Sequence, residues 1–444
     1  MIFGNTIRER LFWSLDAMRG SKVKKQYLDI AYILENYEDQ SVQSLLENRL
    51  KTILEHAKST VPFYHEMKSV ECLSDFPVID KNIVREYFEN FKSSLYLGEK
   101  LYSKYTSGST GTPFKVFHDK EKRLRNTADT LYFAKKAGYH IGQRLYYLRH
   151  WDKYNAKSSL AAFAENVVMH PVANLSDRDI KKLISDIEKD TSPKSLLAYA
   201  SALTTICNYL EANHYKPISN PMQSVVAMSE YLSPIVKKQL EYYFGAPVVS
   251  RYSNVENGII AQQFPKDDNF YINTASYYVE ILKTDKDEAV EPGQMGRIVV
   301  TDYFNKSMPL LRYDTGDIGY LGQSDGKEKL PYLKKIEGRK MDIIYNVNGE
   351  PINSYVTYHI LKYPHIKQFQ FIQEYAHKYI IKLNVNNEFD AERQIVEEFK
   401  QHLGKNAQIE IEYVTDIPVL NSGKRKLVIN KLSEGDLYAL KSED

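Results

Sequence analysis

Short apolar segments of strand length alternate with helical segments through the middle of the chain, from about residue 100 to about residue 335. Apolar strands that follow one another with helices between them are typical of a buried, largely parallel sheet. Helical patterns at 180–189 and 202–210 separate several of these segments. The alternation predicts an α/β fold with strands at 116–117, 145–148, 195–199, 225–228 and 248–252.

Different patterns flank this region on both sides. Residues 1–100 look mainly helical, and a β-rich stretch with segments at 278–282 and 297–301 follows the alternating region. Near residue 338 the pattern breaks and restarts as a small α+β unit. We therefore predict a large N-terminal domain, 1–337, with parallel and mixed sheets and a β-rich subdomain. The smaller C-terminal domain, 344–444, is predicted to hold helices at 355–361 and 391–403 and strands at 366–373, 378–384 and 408–413.

Length and composition narrow the class of protein. A chain of 444 residues is long enough for two or three domains. Lys and Arg number 59 against 57 Asp and Glu, a net charge of +2, whereas a bulk nucleic-acid binder has a clear basic excess. The two cysteines, Cys72 and Cys207, cannot supply a disulfide framework or a cysteine-rich zinc site. No apolar run approaches the ~20 residues of a membrane helix, so we expect a soluble cytoplasmic protein without a nucleic-acid partner.

A hydroxyl- and glycine-rich segment, Tyr-Thr-Ser-Gly-Ser-Thr-Gly-Thr-Pro at 105–113, lies between two strand-like segments. Glycines let the backbone approach a ligand closely, and the hydroxyl and N–H groups can donate to phosphate oxygens. The segment lacks the Gly-x-x-x-x-Gly-Lys pattern of a Walker loop. It can therefore be a phosphate-binding loop of another kind or an ordinary Ser/Gly hairpin turn.

Three further motifs follow in the chain. They are Tyr-Ser-Asn-Val-Glu at 252–256, Arg-Tyr-Asp-Thr-Gly-Asp at 312–317 with Glu-Gly-Arg at 337–339, and Pro-Val-Leu-Asn-Ser-Gly-Lys at 418–424. A phosphate loop, a glutamate, a ribose-type aspartate and a late lysine are the parts needed to hold ATP and activate a carboxylate. Each also has a plainer interpretation: a solvated loop carboxylate for Glu256, a turn residue for Asp317, a surface residue for Arg339 and a solvated basic loop for Lys424.

The order of these motifs resembles that of the adenylate-forming superfamily of acyl-CoA ligases, adenylation domains and luciferases, over residues 60 to 430. Within the superfamily the chain looks like the phenylacetate–coenzyme A ligase branch, particularly its members in capsule polysaccharide gene clusters. Val-Pro-Phe-Tyr at 61–64, Phe-Pro-Val-Ile-Asp-Lys at 76–81 and Leu-Arg-Tyr-Asp-Thr-Gly-Asp at 311–317 carry that likeness.

The resemblance implies roles for the motif residues. The Tyr252 ring packs on adenine beside Ser253 and Asn254, Asp317 binds the ribose hydroxyls, and Arg339 begins a hinge at 338–343 that lets the C-terminal domain move. Three residues would act in catalysis: Thr106, Glu256 as the magnesium ligand, and Lys424 as the catalytic lysine. The phosphates would be held by Ser107, Gly108, Ser109, Thr110 and Gly111.

Four more candidates follow strand-like segments, where open α/β sheets bind ligands. Ser229 and Glu230 correspond to the family position that contacts adenine, although Ser229 can also be a helix N-cap. His150 lies where the family often places an aromatic residue or histidine beside the acid, and Tyr199 is a candidate for the acyl pocket. Ordinary core packing is the alternative for both of these substrate candidates.

The chain departs from the family pattern at two positions. Most family loops carry lysine directly after the proline, where this chain has Phe114. Lys115 comes one residue later and would point to the opposite face of a strand. In the hinge, Met341 stands where aspartate is usual, and Lys340 or Asp342 could take over its role.

Together these features predict an AMP-forming ligase that uses ATP and Mg²⁺ to activate a carboxylic acid as an acyl-adenylate. The acyl group would then pass to coenzyme A, to an amine on a sugar or to a carrier thiol. Two alternatives remain open from the sequence: a non-catalytic nucleotide-binding scaffold of a polysaccharide assembly system, and a nucleotidyltransferase that leaves AMP on its product.

Overall fold

The structure is a computed structural model. It describes residues 2–65, 67, 72–106, 114–151, 156–172, 175–284, 286–323, 330–339, 344–352, 360, 363, 365–418, 427–432 and 436, with the backbone alone at 2–6, 106, 338–339 and 351. Among the described helices, none has both the length and the hydrophobicity needed to cross a membrane.

Helices dominate the first hundred residues and recur between the strands that follow. Three short 3-10 helices lie at Leu73–Asp75, Phe88–Phe91 and Ser94–Tyr96. The α-helices of the described chain are α1 Ile2–Met18, α2 Lys22–Glu35, α3 Gln40–Thr60, α4 Pro62–His65, α5 Lys81–Glu86, α6 Lys120–Ala137, α7 Ser159–Glu165, α8 Asp177–Lys189, α9 Ala200–Ala212, α10 Pro234–Phe244 and α11 Glu392–Leu403.

One large mixed sheet organises the first 339 residues, in the order β10-β11-β12-β13-β9-β8-β7-β6-β5-β3-β4. The strands β3 to β7 pair in parallel, and the remaining pairs are antiparallel. Its strands are β3 Arg144–Arg149, β4 Val167–Pro171, β5 Lys194–Tyr199, β6 Ser224–Met228, β7 Val248–Asn254, β8 Gly258–Gln263, β9 Phe270–Ile272, β10 Tyr277–Leu282, β11 Met295–Asp302, β12 Tyr313–Leu321 and β13 Tyr332–Arg339.

Helices cover both faces of the parallel half of this sheet. Apolar residues of α8, α9 and α10 pack on the face that carries Leu148, Leu196 and Ala227. On the opposite face, Ala137 of α6 packs against Val226 and Val249. Because both faces are buried, these strands are almost continuously apolar, and such runs predict buried strands.

A second core joins the N-terminal helices to the β-rich half of the sheet. Residues of α2, α3 and α4 pack with residues that surround the start of β12, including Leu311 and Tyr313. Ile79 bridges Tyr313 in parallel, through hydrogen bonds from the Ile79 N–H to the Arg312 carbonyl and from the Asp314 N–H to the Ile79 carbonyl. Two segments that are far apart in sequence, 76–81 and 311–317, thus form one structural unit.

The C-terminal region has its own sheet and core. The sheet order is β18-β17-β16-β19, with β16 and β17 antiparallel and the outer pairs parallel. Phe371, Ile381 and Phe399 lie in the core between this sheet and α11. The strands are β14 Ile344–Tyr345, β15 Pro351–Ile352, β16 Ile366–Tyr375, β17 Lys378–Val385, β18 Gln408–Tyr413 and β19 Val428–Asn430.

The predicted α/β class with a large mixed-sheet region and a smaller C-terminal unit is confirmed. The β-rich stretch, predicted as a subdomain, continues the same sheet as the parallel strands. Several described strands were not predicted, among them β4, β8, β9 and most of β12 and β13. The predicted helix at 355–361 lies, apart from residue 360, outside the described residues.

Candidate active site

The carboxyl ends of four adjacent parallel strands lie side by side at one edge of the large sheet. β3 ends at Arg149, directly before His150, and β5 ends at Tyr199. Tyr199 is in register with Met228 of β6, which is in register with Arg251 of β7. Since open α/β sheets bind ligands outside the carboxyl ends of their strands, this edge is the expected place for a ligand.

The two substrate candidates, His150 and Tyr199, meet at this edge. Tyr199 is buried, and its hydroxyl hydrogen-bonds the backbone of His150. Burial raises the pKa of Tyr199, and the nearby Arg149 opposes the rise. The contact joins the ends of β3 and β5, and the role of both residues in holding an acid stays a prediction.

The two adenine candidates directly follow β6. Ser229 has φ of 70°, in the left-handed region that non-glycine residues rarely adopt. Such a conformation costs on the order of 1–3 kcal/mol and persists only where the surrounding structure enforces it. The Glu230 Oε2 accepts a 2.9 Å hydrogen bond from the Ser201 N–H in the first turn of α9, where negative charge is favourable. Glu230 therefore also anchors α9, a role that the sequence did not predict.

The predicted adenine and ribose residues, Tyr252 and Asp317, are directly bonded to each other. The Tyr252 hydroxyl donates to Asp317 Oδ2 at 2.7 Å and lies 3.1 Å from Thr315 Oγ1. Burial, and then the charge of Asp317, raise the pKa of Tyr252 well above its ordinary value, so that the hydroxyl remains a donor. β12 also pairs Asp317 with Arg339 in the backbone ladder. Three motif positions thus converge although they come from three strands.

The other residues of the 252–256 motif shape the backbone. Ser253 pairs with Ile259 in the ladder between β7 and β8. The Asn254 Oδ1 accepts a 2.7 Å hydrogen bond from the Asn257 N–H, which closes the connecting turn. This turn fixes the position of Glu256, and contacts of Ser253 and Asn254 with nucleotide stay predictions.

Glu256 is a buried carboxylate with two donors on one oxygen. Its Oε1 accepts a 3.0 Å hydrogen bond from the Tyr313 hydroxyl and forms a 2.9 Å ion pair with Lys81 Nζ. The Glu256 side chain is 1% exposed, whereas that of Lys81 is 32% exposed. The Glu256 backbone carbonyl accepts a 2.8 Å hydrogen bond from His118 Nε2, since a carbonyl can only accept. Glu256 is therefore a buried negative charge that is neutralised by a partly exposed lysine.

Lys81 is a site residue that the sequence interpretation missed. It begins α5, and Asp80 caps that helix by accepting from the Asn82 and Ile83 N–H groups. The bridge between Ile79 and Tyr313 places both Glu256 partners side by side. The segment 76–81 carries part of the family likeness, but no local sequence pattern connects Lys81 to Glu256.

The donors around Glu256 can be compared with the ligands that a magnesium ion commonly takes. Magnesium is commonly held through one or two carboxylates together with substrate phosphates. Within the described residues no cluster of three His, Cys, Asp or Glu side chains forms a self-sufficient metal site. Glu256 fits the role of a single protein ligand, since an ionised carboxylate accepts at about four lone-pair positions.

The predicted phosphate loop connects two paired strands. β1 Tyr102–Thr106 and β2 Phe114–His118 form an antiparallel hairpin in which Thr106 pairs with Phe114. Phe114 is 1% exposed and its ring is stacked parallel to that of Tyr313. Lys115 is on the other face, with Nζ 4.5 Å from the centroid of the Phe117 ring, as predicted from strand alternation. Neither side chain takes the place of the lysine that most family loops carry directly after the proline.

Several predicted residues lie outside what the structure describes. The side chains of Thr106 and Arg339 are among them, and so are hinge residues 340–343. The remainder are Ser107, Gly108, Ser109, Thr110, Gly111 and Lys424. Their roles stay predictions.

The chain is similar to one known protein family and to several curated proteins. The CapK C-terminal domain family matches residues 344–431. The chain is 22% identical to Protein CapK of Staphylococcus aureus over 87% of this chain and 89% of that protein. It is also 22% identical to the phenylacetate-coenzyme A ligase of Pseudomonas putida, over 90% and 89% of the two chains.

A solved structure shares the fold over nearly the whole chain. It is a 2-hydroxyisobutyryl-CoA ligase in the postadenylation state, in complex with R3-HIB-AMP. The two chains superpose with a TM-score of 0.70 at 16% identity, over 92% of each.

Proposed function

We propose that this chain, a member of the adenylate-forming superfamily related to CapK and the phenylacetate–coenzyme A ligases, activates a carboxylic acid with ATP and transfers the acyl group to an acceptor. Its relatives and the C-terminal family match confirm the resemblance drawn from the motifs. The observation that carries the proposal is the bond between Tyr252 and Asp317 beside the ligand-binding edge of the sheet. It joins the adenine and ribose candidates in one place.

In the first half-reaction, a carboxylate oxygen of the acid attacks the α-phosphorus of ATP. A new O–P bond forms, the α–β phosphoanhydride bond breaks, and its electron pair leaves with pyrophosphate. Residues 106–111 would hold the phosphates, and Lys424 would bring positive charge between the carboxylate and the α-phosphate. Protein chemistry here is positioning and charge neutralisation.

Glu256 would hold the magnesium ion, which when bound supplies positive charge to the polyphosphate. The carboxylate meets this need because it is buried and already oriented by the Tyr313 hydroxyl. Lys81 is exposed enough to move away from Glu256 when another cation arrives, since about a third of its side chain contacts solvent.

In the second half-reaction, a thiol or amine of the acceptor attacks the acyl carbon and loses its proton. The bond between the acyl carbon and the phosphate oxygen breaks, and its electron pair leaves with AMP. We assign the adenylation core to residues 1–337, the hinge to 338–343 and the lid to 344–444. Coenzyme A, an amine on a sugar and a carrier thiol are the candidate acceptors. A cytoplasmic location would supply both ATP and coenzyme A.

Isotope transfer distinguishes this chemistry from its alternatives. An acid whose carboxyl oxygens are both ¹⁸O should give AMP that carries one ¹⁸O after transfer to hydroxylamine. A nucleotidyltransferase would instead leave AMP on the product, and a non-catalytic scaffold would give no AMP above the acid-free control. Mass spectrometry of the nucleotide and of the product separates the three outcomes.

A further inference from the structure

Two arginines lie on one face of the sheet at its ligand-binding edge. The register of the parallel strands puts Tyr147, Tyr199, Met228 and Arg251 on the same face, and Arg149 follows Tyr147 by two positions on β3. This face is opposite the one covered by α8, α9 and α10. The two arginine side chains therefore leave the sheet on the same face, beside the acid candidates His150 and Tyr199.

The Tyr147 hydroxyl lies near both arginines. Arg149 Nη1 donates to it at 3.3 Å, and Tyr147 is also an electrostatic neighbour of Arg251. The Arg149 guanidinium lies 5.4 Å from the centroid of the Trp151 ring. These contacts hold two cations around one neutral hydroxyl and an aromatic wall.

Arg149 and Arg251 are half-buried, and among the residues that the structure describes neither has the anionic partner that the buried arginines have. Arg125 pairs with Asp29, Arg297 with Asp287 and Asp314, and Arg312 with Glu280. Arg251 instead donates to the neutral Gln262 amide at 2.8 Å, and Arg149 to the His150 carbonyl and the Tyr147 hydroxyl. Within the described part of the chain, no carboxylate oxygen lies within 4.0 Å of either guanidinium.

Partial burial makes this arrangement unfavourable without an anion. Arg149 and Arg251 are half-buried, and desolvation lowers the pKa of Arg251 to about 10. Desolvation, then Arg123 and then Arg149, lower the pKa of Lys104, so a third cation lies near Arg149. Charges that are withdrawn from water are normally paired, and a cluster of cations without an anionic partner indicates a binding site for an opposite charge.

Resting on the proposed function, we propose that the acid activated by this chain carries a second anionic group, which Arg251 and Arg149 bind at the far end of the acyl pocket. A purely apolar acid bound here would cover both guanidinium groups without pairing them, and such a mismatch discriminates between substrates. The substrate class is therefore a dicarboxylic acid, or an acid with a phospho group, in preference to an aliphatic or aryl monoacid.

Matched acid pairs test this class. Butanoate against succinate, pentanoate against glutarate, and butanoate against 3-phosphonopropanoate differ only in the second group. In acid-dependent ATP–pyrophosphate exchange, at least one dianionic acid should exceed its matched monoacid roughly 10- to 100-fold in kcat/KM, the range of a charged hydrogen bond. Monoacids that match or exceed every dianionic partner would overturn the substrate class while leaving the proposed ligase function intact.

Arginine variants test whether Arg251 and Arg149 cause the preference for a dianionic acid. Arg251→Met and Arg149→Met should each lower the ratio of dianionic to monoacid kcat/KM at least tenfold, and Arg251→Lys should retain part of it. Arg178→Met, an exposed position on α8 at the other face, is the matched control and should leave the ratio unchanged. An equal loss for both kinds of acid would show that the arginines serve the reacting carboxylate or the nucleotide, and would overturn the proposal.

Direct binding keeps the test independent of turnover. Calorimetry of glutarate and pentanoate with the unmodified chain should show tighter binding of glutarate, and Arg251→Met should remove the difference. Equal affinities in the unmodified chain contradict the inference even if no acid supports exchange. Absence of exchange with every acid, together with a glutarate preference in binding, would instead contradict the proposed function.

Discussion

Single side chains set the charge balance of the candidate site. Glu256 carries the buried negative charge, and Lys81 and Tyr313 share one of its oxygens. Phe114, which replaces the usual loop lysine, stacks on Tyr313 and lies 5.7 Å from Lys81 Nζ. Among the described residues, the cation that pairs with Glu256 therefore comes from α5.

Replacing Lys81 tests this pairing. Lys81→Met should lower the free energy of unfolding by roughly 1–3 kcal/mol, because a buried carboxylate loses a charged partner. The double variant with Glu256→Gln should recover part of that loss, since no unpaired charge remains. Urea unfolding of both single variants and the double variant measures the coupling, and strictly additive losses would mean that the ion pair contributes nothing.

His118 makes stability depend on pH. Burial, and then Lys122, lower its pKa from 6.5 to about 4, so the folded state binds this proton less readily than the unfolded state. Its contribution to stability is complete above pH 6.5 and is lost progressively as the pH falls toward 4.

Between pH 8 and pH 5 this group alone should remove about 2 kcal/mol of stability. His118→Gln can still donate to the Glu256 carbonyl but does not titrate, so its unfolding free energy should fall less over the same range. Parallel losses in the two proteins, measured by urea unfolding at each pH, would contradict the assignment.

Elements bring together residues that the sequence keeps apart. Each of three elements carries one motif: the hairpin of β1 and β2, the turn after β7, and the start of β12. In the chain, α6 follows the hairpin and precedes the other two elements. Asp119 caps α6 through the Lys122 N–H and also accepts from the Lys306 and Ser307 N–H groups. One buried carboxylate thus ties the helix to the loop that precedes β12.

Removal of this tie should be more costly than removal of an ordinary cap. Asp119→Ala should destabilise the fold by about 2–4 kcal/mol, because it removes a cap and leaves buried N–H groups unpaired. Ser158→Ala, which removes the exposed cap of α7, is the control and should cost about 1 kcal/mol. Similar losses of unfolding free energy in the two variants would show that the contacts to 306 and 307 are unimportant.

The sequence predicted the elements whose patterns are local. Continuous apolar strands such as β5 and β6 were recognised because both of their faces are buried. β12 begins with Tyr-Asp-Thr-Gly-Asp, a run that reads as a turn, and it becomes a strand only through pairing with β11 and β13. The ion pair of Lys81 with Glu256 and the clustering of Arg149 with Arg251 also depend on tertiary register, which no local pattern encodes.

Across the whole molecule, the proposed two-step reaction requires the C-terminal region to move relative to the rest. The large sheet ends at Arg339, and the separate C-terminal sheet region begins with β14 at Ile344. If one site performs two half-reactions, the connection between them must change its backbone torsions. Hinge residues of this kind control reactions from a distance.

Fixing the connection should separate the two half-reactions. Met341→Pro restricts φ to about −65° and should allow one half-reaction while blocking the other. Met341→Ala is the control and should retain both. Pyrophosphate exchange and overall hydroxamate formation, measured side by side, decide the outcome, and an equal fall in both rates with the fold intact would place the hinge elsewhere.

Acid-dependent ATP–pyrophosphate exchange is the direct measure of acid activation by this chain. We expect exchange only with a suitable carboxylic acid, and we expect it to fall on the order of 10²–10³-fold in Lys424→Ala, which loses positive charge aimed at the reacting groups. Asp317→Ala should reduce exchange through weaker nucleotide binding. Exchange that is independent of added acid, or that persists unchanged in Lys424→Ala, would contradict the assignment of this chain as an acid-activating ligase.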